Sequence, residues 1–136
     1  MWAKTSLLAV AGALAFWAAN LAISLTPVAA DYRAGLSIAY VPMLLEALVG
    51  GLIIGFFVSY CLLRFFNSLP TYGAISKSLV LSLAALLVVT VLIEIPGKFL
   101  SPTADAMRYF TIGAVFNVLR IAALGTVIGL LYGRWG

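Results

Sequence analysis

The chain has 136 residues, 65% hydrophobic and 9% charged, with a mean hydropathy of +1.18; a soluble domain needs about a quarter charged residues, so this composition excludes one and indicates an integral membrane protein. The net charge of +4 comes from eight Lys and Arg, mostly flanking apolar runs, which is the pattern of membrane anchors and excludes nucleic acid as a partner. With no His and with Cys61 as the one Cys, the chain cannot alone build a disulfide framework, a zinc site or a His-ligated haem, so neither cofactor nor metal is expected.

The first apolar run, 5 to 26, follows Lys4 and ends near Val28-Ala29-Ala30, a small-x-small pattern of the kind signal peptidase cuts. The run is longer than a signal-peptide core, and Pro27 breaks it where a membrane helix should end. It reads as a retained transmembrane helix followed by a helix-to-helix turn. Three further runs, 36 to 63, 77 to 96 and 107 to 133, are each long enough to cross a hydrocarbon core that needs about 20 residues. Arg64 with Asn67-Ser68-Leu69-Pro70, Pro96-Gly97-Lys98 and Arg134 supply the stops. The expected fold is an all-α integral membrane protein of four transmembrane helices, a single domain over 1-136.

Lys4, Arg64, Lys77 and Arg134 lie on one side of these spans, and Arg33, Lys98 and Arg108 lie on the other beside Asp31 and Asp105. The positive-inside bias then puts both termini inside, and the expected location is the cytoplasmic membrane of a prokaryote.

The chain also matches itself. At an offset of 74 residues, Asp31 falls on Asp105, Ile38 on Ile112, Val41 on Val115, Leu45 on Leu119, Gly51 on Gly125, Ile54 on Ile128 and Gly55 on Gly129. Leu25-Thr26-Pro27 is echoed by Leu100-Ser101-Pro102, and Lys4-Thr5 by Lys77-Ser78. Two tandem helix hairpins, 1-66 and 72-136, are expected, related by a pseudo-twofold axis along the membrane normal.

Glu46 and Arg120 occupy equivalent places in this repeat, about ten and thirteen residues into the second and fourth spans, near mid-bilayer. Each charge alone costs at least about 2.5 kcal/mol there, so an intramembrane Glu46–Arg120 ion pair is expected, either as a transport site or as polar glue between helices. Asn117 shares the face of Arg120; Thr90, Glu94 and Asn20 are secondary polar candidates, Glu94 being four residues from Lys98. Gly51 with Gly55, and Gly125 with Gly129, form GxxxG strips for close helix packing, turned about 140° to 180° from the charges.

No Ser or Cys has a base partner, so no catalytic residue is assigned and an enzyme ranks a distant third. The four-span architecture is similar in outline to small multidrug transporters, but their essential Glu lies in the first helix, where this chain has no charge beyond Lys4. The aspartates lack the Asn-rich motifs of four-helix lipoprotein signal peptidases. The leading expectation is an accessory or scaffold subunit in a larger membrane complex; the alternative is a small-solute or ion transporter, proton-coupled and acting as a homo-oligomer. The expected partners are the lipid bilayer and other membrane subunits or a second copy.

Overall fold

A computed structural model describes residues 2–36, 38–69, 73–100 and 105–135. Helices α1 (Trp2–Ser24), α2 (Pro27–Leu36), α3 (Tyr40–Phe65), α4 (Ala74–Val89), α5 (Ile95–Phe99) and α6 (Ala106–Trp135) follow in order. A single 3₁₀ turn, Phe66–Ser68, extends α3, and a wide π turn, Thr90–Glu94, joins α4 to α5. Among the described residues there is no strand. In lipid every backbone N–H and C=O must find a partner within its own segment, which apolar helices provide. Four helical stretches are long and apolar enough to span: Trp2–Ser24, Tyr40–Ser68, Ala74–Phe99 and Ala106–Arg134.

Three boundaries differ from the sequence reading. The turn after the first span is only Leu25–Thr26, and Pro27 opens a helix instead of ending one. Proline suits the first helical position, where its missing N–H is not needed. The Thr26 hydroxyl caps this helix by accepting from the Ala29 N–H at 3.2 Å. The proposed second copy of the turn falls on 101–104, outside the described residues. The second span starts at Tyr40, not at 36, because Pro42 can sit only in a helix's first turn without removing an intrahelical bond. The third runs past its expected stop to Phe99. Pro96 is accommodated because the preceding turn is wide: the Ile95 N–H reaches back five residues to the Thr90 carbonyl.

The spans form a four-cornered bundle. α1 packs against α3 and α6, and α4 packs against α6 and less extensively against α3, so α1 and α4 take opposite corners. At the end that holds both chain termini, Leu8, Val58, Leu62, Leu124 and Ile128 are fully buried. Glycines set the spacing there: a Cβ on Gly55 would lie 2.7 Å from the Ala9 carbonyl, and one on Gly12 would lie 2.6 Å from Ile128. Gly125 and Gly129 stand in the same way against Ser82 and Ile75 of α4. The outward faces are apolar, as in the Val41, Leu45, Val49 and Ile53 stripe of α3.

The opposite end is closed by α2. Its Tyr32 ring packs edge-on against Tyr109 and Phe116 of α6, and Asp31 forms an exposed ion pair with Arg108. Arg33 donates to the carbonyl of Ser24 at 3.2 Å, placing a cation at the C-terminus of α1.

Candidate functional site

Below α2, three spans contribute polar side chains to one connected network, and the fourth corner, α3, joins it through a methionine sulfur. Glu94, carried inward by the π turn and only 8% exposed, accepts from Lys98 Nζ on Oε2 at 2.7 Å and from Asn117 Nδ2 on Oε1 at 3.1 Å. Asn117 Oδ1 accepts in turn from Arg120 Nη2, and Arg120 Nη1 donates to Asn20 Oδ1 at 2.8 Å. Asn20 then donates to the Met43 sulfur at 3.2 Å. Five side chains from the first, third and fourth spans are thereby tied to α3. The Arg120 guanidinium also sits 5.1 Å from the centre of the Phe16 ring, a contact worth most where water is excluded.

The network forms part of the wall of a cavity of about 240 Å³. Tyr32 and Arg33 of α2 cover it; Asn20, Glu46, Glu94 with Lys98, and Arg120 supply the polar lining from the spans. Gly113 of α6 permits a close approach of α2 and the third span, since a Cβ there would lie 2.8 Å from the Tyr32 hydroxyl and 2.9 Å from Glu94 Oε2.

Glu46 and Arg120 thus face one cavity, but no ion pair joins them among the described residues. Glu46 is six residues into α3, about 9 Å along the helix, and is exposed, while Arg120 takes neutral amide partners. Helix rotation explains the separation. With Gly51 and Gly55 turned to Phe16 and Ala9 of α1, Glu46 lies about 140° to 180° round α3 from that contact. With Gly125 and Gly129 turned to α4, Arg120 faces away from α4 and meets Asn20 of α1.

Of the secondary candidates, Asn20 and Glu94 belong to the network. Thr90 does not: its hydroxyl donates to the Leu86 carbonyl at 2.8 Å. The sequence reading missed the roof. Its signal is the spacing of Ala29, Tyr32, Arg33 and Leu36, one face of a short helix after a capping Thr and a first-turn Pro. No family model, no curated protein and no solved structure matches the chain.

Proposed function

We propose that the protein is a small non-enzymatic membrane transporter that takes a small solute into the cavity beneath α2. The observation that carries this reading is the cavity itself. Charged side chains that serve only as glue close on one another, whereas Glu46 and Arg120 face an open volume of about 240 Å³. Intramembrane ionisable groups on a cavity mark substrate and ion paths. Between this cavity and a recess at the rim of the opposite end, lined by Arg64, Asn67 and Tyr132, the buried layer of Leu62, Leu124 and Ile128 closes the bundle, a barrier of the kind that one state of an alternating-access carrier requires. The wall is drawn from all four spans of one chain, so the site needs no second copy.

In this reading the chain lies in a prokaryotic cytoplasmic membrane with both termini inside, and the cavity opens outward. The two hairpins are the moving halves. In support of the repeat, the 74-residue offset brings Asn20 onto Glu94 and Glu46 onto Arg120, and these four residues line the cavity. The GxxxG strips hold each hairpin together, Gly51 and Gly55 joining α3 to α1, Gly125 and Gly129 joining α6 to α4.

A second reading, an accessory subunit of a larger complex, is favoured by the thinner packing of α3 on α4 and by the exposed Glu46, a flank that another subunit could cover. Labelling separates the two. In a Cys61→Ser background reconstituted into vesicles, Met43→Cys and Ile23→Cys should react with a membrane-impermeant maleimide from the α2 side, and Leu124→Cys should not. If neither cavity position reacts from either side, the transport reading falls.

A further inference from the structure

We infer that the cavity binds a small zwitterion, its oxyanion on Arg120 and its ammonium on Glu46; this rests on the solute-binding reading above and names its ligand class.

The argument is a census of charge. Five ionisable chains with full charges line the cavity: Arg33, Glu46, Glu94, Lys98 and Arg120. Glu94 and Lys98 neutralise each other at 2.7 Å, and Asn117 occupies the other carboxylate oxygen. Arg33 is engaged at the rim, donating to the Ser24 carbonyl and lying 4.8 Å from the centre of the Tyr40 ring. The two remaining groups are of opposite sign. Arg120 has only neutral partners, and its buried Nε–H has none. A guanidinium has five N–H donors, and two are used. Glu46 has no hydrogen-bond or ion-pair partner among the described residues.

Two unmatched opposite charges on one cavity, held apart by the rotation of their helices, specify a bridging ligand. In an environment that penalises an uncompensated charge, an anion would satisfy Arg120 and leave Glu46 unmatched, and a cation would do the reverse. A zwitterion satisfies both and adds no net charge to the membrane interior. The planar fork of Arg120, steadied by Asn20, Asn117 and the Phe16 ring, suits a carboxylate or a phosphate. The volume holds roughly eight water-sized groups at about 30 Å³ each. That is the scale of a free aminocarboxylate or of the phosphoethanolamine part of a lipid headgroup, which share this chemistry.

The test is calorimetric titration of the full-length protein in detergent with four probes: alanine, propanoate, propylamine and glycerophosphoethanolamine. At least one zwitterion should bind tenfold or more tightly than propanoate and propylamine. Glu46→Gln should weaken that binding at least tenfold with propanoate unaffected, Glu46→Asp should restore part of it, and Arg120→Lys should weaken zwitterion and propanoate together. Because Glu46 is exposed, its variants keep the fold, which circular dichroism checks. Preference for alanine identifies a soluble ligand; preference for glycerophosphoethanolamine identifies a lipid. Propanoate binding equal to that of the zwitterions, with Glu46→Gln silent, overturns the inference and leaves a solute-binding anion site. Reactive cavity cysteines with no probe bound overturn the inference but keep the cavity reading, whereas unreactive cysteines remove both.

Discussion

The two ends of the bundle bury polar atoms in different ways. At the terminal end most of the buried polar groups are hydroxyls, among them Ser78, which donates to the Gly125 carbonyl at 2.7 Å, and Ser82, which donates to the Ser78 carbonyl at 2.8 Å; the one buried ammonium there, Lys77, likewise donates to a single helix-end carbonyl, that of Phe66. A hydroxyl can be satisfied by a helix carbonyl it already touches, so these helices pack closely; Ser59 Oγ is the exception among the described buried hydroxyls, with no partner. At the α2 end, beside the buried Ser24 hydroxyl, the polar network is built from the half-buried guanidinium and ammonium of Arg120 and Lys98, the buried carboxylate of Glu94 and two buried amides. Helix carbonyls cannot satisfy a carboxylate, and one carbonyl cannot satisfy a guanidinium. These groups need one another across helices, and that holds the helices far enough apart to leave a cavity. The chain thus specifies a clamp at one end and a chamber at the other through the polar residue types it buries.

The sharpest break in that contrast is to enlarge a clamp residue. Gly55→Leu puts a side chain into the Ala9 backbone, and over-packing of this kind costs about 1–3 kcal/mol or more; a large fall in thermal stability in detergent is expected, while Gly50→Leu, with nothing within 4 Å, should leave it almost unchanged. Next in size is the chamber's anchor. Glu94→Ala strands Lys98 and the buried Asn117, and loss of hydrogen bonds to a charged group costs about 1.5–3 kcal/mol; the melting temperature should fall and maleimide labelling at Met43→Cys should speed up. Asn20→Ala removes one amide partner of the charged Arg120, for a loss of about 1.5 kcal/mol, read by the same melting assay. The smallest effect is at the roof. Asp31→Asn breaks an exposed ion pair worth less than about 1 kcal/mol, so stability should barely move, and only the labelling rate beneath α2 should rise.

Much of this was readable in advance. Four apolar runs are enough for the spans, and Asn20, Glu94, Asn117 and Arg120 each stand out as an interruption in one of them, while Lys98 stands just past the end of the third. Glu46 shows where such reading stops. Its depth depends on where α3 begins, which Pro42 sets, and its direction depends on which neighbour Gly51 and Gly55 contact. The angle between charge and glycines was in the sequence, but the identity of the facing helix was not. The bond from Arg120 to Asn20 spans 100 residues, and no local pattern announces it. α2 was hidden for a different reason. It is ten residues long and too short to register as a span, so its proline was read as the end of one helix when it is the start of another.

The wide turn before Pro96 has a mechanical consequence. Where the Ile95 N–H reaches back to Thr90 and Pro96 has no N–H to offer, the ladder of backbone bonds that stiffens a helix is interrupted. The last turn of the third span is therefore a short arm on a pivot. Lys98 rides on that arm and Glu94 sits in the pivot, so their ion pair works as a strap across it.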